Sequence, residues 1–157
     1  PLDLDRVSVI GHSAGVTPAV WLANGSQVDG VVTQGLPKVR SGVVLDGPVD
    51  LAQFATWDKA VCGRPVIAPL LGGTAEQRPD RFAMIDPRSN PPAAQSILLV
   101  RGAFPPFDPA IVAALGKGGA KVEEIAVTPD QHFDLLKPGT PDFAKIAPAL
   151  LRVTGGR

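Results

Sequence analysis

The residues whose types and spacing could carry chemistry begin with a serine flanked by glycines near the start of the chain. Gly11, Ser13 and Gly15 form a Gly-x-Ser-x-Gly motif directly after a β-branched run at 6–10. This pattern is typical of a nucleophilic serine on a sharp strand-to-helix turn, with Oγ above the sheet. We expect glycines here because a Cβ at either position would clash with the neighbouring strand or helix. Ala14, which follows the serine, would supply one backbone N–H to an oxyanion hole.

A serine nucleophile needs a general base, and the chain contains only two histidines. His12 is adjacent to Ser13, so its side chain should leave the turn in another direction and pack or hydrogen-bond beside it. His132 lies in a loop after the last predicted strand. The sequence therefore predicts that His132 is the base that deprotonates Ser13.

The composition of the 157 residues favours one globular domain, with 45% hydrophobic and 19% charged residues. Fifteen basic and fifteen acidic residues balance, so we expect no nucleic-acid partner. No apolar run reaches the roughly 18 residues needed to span a membrane. His12, His132 and Cys62 are too few and too scattered for a zinc site, and we expect no cofactor or metal.

The predicted elements that must position these residues alternate between strands and helices. Strands are predicted at 6–10, 42–45, 96–100 and 121–127, and helices at 16–23, 76–85, 109–115 and 141–153. A loop or small excursion is expected at 26–40, and short helices and loops at 50–92. Such alternation predicts an α/β fold with a mostly parallel sheet flanked by helices.

Four segments, in this order, give the chain a resemblance to a known superfamily. They are Val9–Gly15, Leu71–Glu76, Ile97–Gly102 and His132–Leu136. The chain resembles the esterase/lipase branch of the α/β-hydrolases, near the hormone-sensitive-lipase-like and kynurenine-formamidase-like enzymes. The resemblance implies a serine carboxylesterase that acts on a small ester or amide through an acyl-enzyme, with chain order serine, acid, histidine.

The acid of the expected triad is less clearly marked. In the family, the strand before the histidine is usually followed by His-Gly-x-x-Asp, but Arg101 and Pro105 stand at the two end positions here. Asp108, three residues later, is the first candidate, although it could simply cap a helix that begins at Pro109. Asp46, after the preceding predicted strand, is the second candidate. The chain could also lack an acid.

The resemblance covers the C-terminal part of the family's fold. We therefore expect residues 1–157 to form a single partial α/β-hydrolase domain that lacks the N-terminal strands and the family's Gly-rich oxyanion segment. A catalytically decayed binding module is an alternative, since Pro105 stands where the acid is usual. A peptidase or amidase of the same fold is another. The compartment and the oligomeric state stay open, with the cytoplasm as the working expectation.

Overall fold

The sheet is built from four strands, each hydrogen-bonded to the next in the sequence. A computed structural model describes residues 3–25, 37–128 and 131–156. The strands are β1 (Val7–His12), β2 (Val39–Leu45), β3 (Ser96–Arg101) and β4 (Lys121–Ala126). All three pairings are parallel. The prediction of an α/β fold with a parallel sheet flanked by helices is confirmed.

Helices connect and cover the strands. They are α1 (Val16–Ala23), α2 (Leu51–Phe54), α3 (Asp58–Cys62), α4 (Ile67–Leu71), α5 (Pro79–Ile85), α6 (Pro109–Gly116) and α7 (Pro141–Thr154). The helix predicted at 76–85 begins only at Pro79, which occupies the first turn, where proline's missing N–H costs little. Most of the loop predicted at 26–40 lies outside the described residues, as do positions 129 and 130. No helix in the described ranges is long and apolar enough to cross a membrane.

The two faces of the sheet carry separate cores, because successive strand residues point to opposite sides. One core joins β2 and β3 to α1 and α6, and includes Val16, Val44, Leu99 and Leu115. The other joins them to α7, and includes Leu45, Val100, Leu135 and Ile146. Burial of each such side chain contributes about 1.5–3 kcal/mol. The central strands are thereby fixed on both faces.

The short helices α2 to α5 form a third apolar cluster outside the sheet. Its buried members are Leu51, Phe54, Ile67, Leu71 and Phe82, and Phe104 from the loop after β3 packs against them. This cluster therefore lies beside the carboxyl end of the sheet, where parallel α/β sheets usually bind ligands.

Candidate active site

Ser13 occupies a strained turn between β1 and α1. The strand ends at His12, and a single 3-10 turn at Ser13–Gly15 leads into the helix. The φ angle of Ser13 is 53°, a left-handed conformation that costs a non-glycine residue about 1–3 kcal/mol and is concentrated at functional sites. The predicted strand–turn–helix elbow is present, with the serine at its corner.

Two glycines allow this turn to pack closely. A Cβ on Gly11 would overlap the Gly15 carbonyl and lie 2.8 Å from the Ala19 Cβ. A Cβ on Gly47, at the end of β2, would overlap the Ser13 carbonyl oxygen. The expectation of a clash is wrong for Gly15, because no atom of the described residues lies within 4 Å of its Cβ position. β1 is an edge strand of the described sheet, and this side of the turn is open.

Asp46 follows β2 directly and is fully buried. Its φ of 45° is also left-handed. The loop after β3 wraps around its carboxylate: the N–H groups of Gly102 and Phe104 donate to Oδ1 at 2.7 and 3.0 Å, and that of Ala103 donates to Oδ2 at 2.9 Å. His132 Nδ1 lies 2.9 Å from Oδ2. Four donors thus surround one buried carboxylate.

The charge state of Asp46 follows from these contacts. Burial opposes ionisation, but the hydrogen bonds from Phe104, Ala103, His132 and Gly102 outweigh it and hold the pKa of Asp46 below its ordinary value. The carboxylate is therefore ionised at neutral pH and can only accept hydrogen bonds. His132 must then carry its proton on Nδ1, which leaves Nε2 of the neutral ring as an acceptor. This is the tautomer that a general base requires.

His132 lies on a short turn that is fixed from both sides. Its side chain is 26% exposed, so the ring is held by Asp46 while keeping access to solvent. The next turn, at Asp134–Leu136, buries Leu135 completely in the core under α7. The Asp134 carboxylate accepts a hydrogen bond from the Gln131 N–H at 3.1 Å. The turn therefore presents His132 from an anchored segment.

Asp108, the first candidate for the acid, is not hydrogen-bonded to His132 in the described part of the chain. It is the N-cap of α6, and its carboxylate accepts the Ala110 N–H at 2.7 Å. In the described part of the chain, Asp46 is the carboxylate hydrogen-bonded to His132. Asp46 was the second candidate, and its signal in the sequence was an Asp-Gly-Pro turn closing a buried strand.

The remaining members of the site lie close to this pair. The ring of His12, the residue before Ser13, is 4.4 Å from the ring of His132 between centroids. In the described ranges no hydrogen bond joins Ser13 Oγ to His132. Ala14 is exposed, and its N–H lies in the first turn of the helical segment, where no intrahelical carbonyl precedes it. In a serine hydrolase, this N–H would donate to an anionic oxygen beside Ser13.

Aromatic rings surround His132 on the side of the third cluster. Phe104 and Phe133 lie 5.8 and 5.2 Å from its ring, and Trp57 lies 5.5 Å from Phe104. A small cavity of about 30 Å³ is lined by residues that include Gly47, Trp57 and Phe104. Phe133 is 65% exposed. On this side the surroundings of His132 are thus largely apolar.

A second cavity, of about 390 Å³, is lined by polar and apolar residues of α2 to α4 and the turn after them, among them Thr56, Lys59 and Glu76. None of Ser13, Asp46 and His132 lines it.

Across residues 3–25, 37–128 and 131–156, no three His, Cys, Asp or Glu side chains are grouped so that they could hold a metal ion. In comparisons with known proteins, the chain matches no protein-family model and no curated protein.

Proposed function

We propose that this protein is a serine hydrolase of the α/β-hydrolase type that cleaves carboxylic esters through an acyl-enzyme. Ser13 is the nucleophile, His132 the general base and Asp46 the acid. The observation that carries the proposal is the hydrogen bond between buried Asp46 and His132, located beside a serine with a left-handed backbone. Both Ser13 and Asp46 have left-handed backbones, and backbone strain of this kind is concentrated at functional sites.

The proposed reaction has two halves. Ser13 Oγ attacks the ester carbonyl carbon while its proton passes to His132 Nε2. The bond from carbon to the alcohol oxygen then breaks, and the departing alcohol takes that proton. Water then attacks the acyl-enzyme in the same way, with its proton passing to His132 Nε2. This second half releases the carboxylic acid product and restores Ser13. Ionised Asp46 stabilises the imidazolium formed in each half.

Two features of the site bear on the geometry of attack. Oγ must turn toward His132 Nε2 when substrate binds, since catalytic hydrogen bonds are often open without substrate. The Ala14 N–H would donate to the oxyanion that develops next to Ser13, which is worth about 2.7–4 kcal/mol per donor in comparable sites.

The apolar surroundings favour an apolar substrate. Phe104 and Phe133 flank His132, so an acyl or alcohol group entering here contacts aromatic rings rather than charges. Amides undergo the same acyl transfer, and a peptidase or amidase activity is the second candidate for this site.

The experiment is a hydrolysis assay with a short p-nitrophenyl ester and the matching p-nitroanilide. We expect turnover of the ester by the full chain and loss of at least about a thousandfold in kcat for Ser13→Ala. Turnover of the anilide at a comparable rate would favour the amidase. Full ester activity in folded Ser13→Ala would overturn the assignment of the nucleophile.

A further inference from the structure

His12 joins the serine turn to the turn that carries the base. Its Nε2 lies 3.1 Å from the backbone carbonyl oxygen of His132. A carbonyl oxygen can only accept, so His12 must carry a proton on Nε2. His132 carries its proton on Nδ1 when neutral. The two histidines therefore use different ring nitrogens as donors, and each has a distinct partner.

The position of His12 in the sheet makes this bond informative. His12 is the last residue of β1, and in the parallel register it pairs with Leu45, the residue before Asp46. The end of β1 thus holds Ser13 through a peptide bond and His132 through a hydrogen bond. The adjacent end of β2 holds Asp46. The neighbouring ends of β1 and β2 therefore fix the positions of Ser13, His132 and Asp46 relative to one another.

The ring of His132 has one polar restraint among those described, its bond to Asp46. A single hydrogen bond at Nδ1 leaves the ring free to pivot around that atom. The bond from His12 fixes the backbone of the same residue, and the two rings are in contact in a tilted arrangement, with an interplanar angle of 34°. In the proposed reaction, the approach of His132 Nε2 to Ser13 Oγ depends on both restraints.

We infer that His12 is a positioning residue. Through the hydrogen bond from its own Nε2–H, it holds His132 in the position from which His132 can accept the proton of Ser13. The inference rests on the proposed function, because it assigns a role within the same reaction. His12 itself transfers no proton in it. A misplaced base slows the attack of Ser13 but leaves the surfaces that bind substrate in place, so kcat should change and KM should not.

Two substitutions separate the hydrogen bond from the ring contact. His12→Gln places an amide N–H near the position of Nε2 without a ring. His12→Phe keeps a flat ring but has no donor. We expect His12→Phe to lower kcat for the p-nitrophenyl ester by about 3- to 10-fold, the rate equivalent of one hydrogen bond. We expect His12→Gln to restore kcat to within about twofold of the unsubstituted protein, with KM unchanged in both.

The rate at which a fluorophosphonate probe labels Ser13 is measured in parallel, with the melting temperature as a check on folding. Slow labelling in folded His12→Phe with rescue in His12→Gln supports the inference. Equal labelling rates in all three proteins overturn it, as does full activity in His12→Phe with loss in His12→Gln. Equal loss in both variants together with a lowered melting temperature shows a purely structural role and also overturns it. Absence of labelling in the unsubstituted protein would instead contradict the proposed function itself.

Discussion

Asp46 and His132 are 86 positions apart in the sequence, yet Oδ2 of the first lies 2.9 Å from Nδ1 of the second. Asp46 directly follows β2, His132 follows β4, and the loop after the intervening β3 wraps around the Asp46 carboxylate. That loop supplies three backbone N–H groups to the carboxylate. The Asp46 carboxylate is therefore hydrogen-bonded both to the backbone of one loop and to a side chain of another.

The choice between the two candidate acids yields a sharp prediction. In the proposed triad, Asp46→Asn removes the charge that stabilises the His132 imidazolium and favours the wrong tautomer. We expect kcat for ester hydrolysis to fall by about 10³- to 10⁴-fold, as in comparable triads. Asparagine tolerates the left-handed backbone of position 46, and circular dichroism checks that the variant is folded.

Asp108→Asn is the matched control. Asparagine caps helices about as well as aspartate, so α6 should keep its N-terminus and its stability. We expect kcat within about twofold of the unsubstituted protein. Loss of activity in Asp108→Asn with retention in Asp46→Asn would reverse the assignment and restore Asp108 as the acid.

Asp58 yields a prediction about stability and pH. It is 3% exposed and accepts the N–H groups of Val66 and Ile67 at 2.7 and 2.9 Å. The N–H groups of Ile67 and Val66 hold the pKa of Asp58 below its ordinary value of 3.8. The unfolded chain therefore binds the proton more readily. The stabilisation is complete above the unfolded pKa and is lost as pH falls through the lower, folded pKa.

Asp58→Ala removes this carboxylate, and urea unfolding measures the consequence. We expect the variant to be less stable than the unsubstituted protein at pH 7, with the difference shrinking as the pH is lowered below about 4. The exposed Glu124→Gln on β4 changes one charge and should leave the free energy of unfolding within about 0.5 kcal/mol. A stability difference for Asp58→Ala that grows toward low pH would contradict the account.

The glycines around Ser13 provide a third prediction. Gly47→Ala places a Cβ against the Ser13 carbonyl oxygen and 2.7 Å from Val16 Cγ2. The backbone at Ser13 or at position 47 must therefore move. We expect a loss of about 1–3 kcal/mol in the free energy of unfolding, or more, together with lower ester hydrolysis.

Gly15→Ala tests the same turn at an open position. Its backbone is already in the right-handed helical region, at φ −71° and ψ −11°, and its Cβ would meet no described atom within 4 Å. We expect stability to be unchanged or to rise by up to about 1 kcal/mol. Equal destabilisation by both substitutions, measured by urea unfolding, would show that the turn is packed differently.

The strand and helix pattern was largely predictable from the sequence. Within the predicted strand 96–100, residues 97–100 are all apolar because β3 is covered on both faces, and such runs are typical of central parallel strands. The alternation at 121–127 matches β4 at the edge of the sheet. The helix of 16–23 is bounded by a glycine turn and by Asn24-Gly25, where Gly25 has a φ of 62°. Each of these signals lies within the element that it predicts, so it could be recognised without knowing the tertiary contacts.

Which carboxylate is hydrogen-bonded to His132 was not predictable in the same way. Asp46 and Asp108 both follow buried strands whose carboxyl ends meet at one edge. Which carboxylate reaches His132 depends on the path of the loop at 102–107, and that path is fixed by hydrogen bonds to Asp46 itself. Asp108 stands directly before Pro109, a local arrangement that favours a helix cap. The link between His12 and the backbone of His132 is also a tertiary contact with no local signature.

Labelling the folded protein with a fluorophosphonate probe, and locating the adduct by mass spectrometry, tests whether Ser13 is the nucleophile. The probe reacts with a serine only where the hydroxyl is activated by a base. We expect one adduct per chain, on Ser13, and none in Ser13→Ala. Folded protein that stays unlabelled, or that is labelled on another serine, would contradict the assignment of Ser13 as the nucleophile.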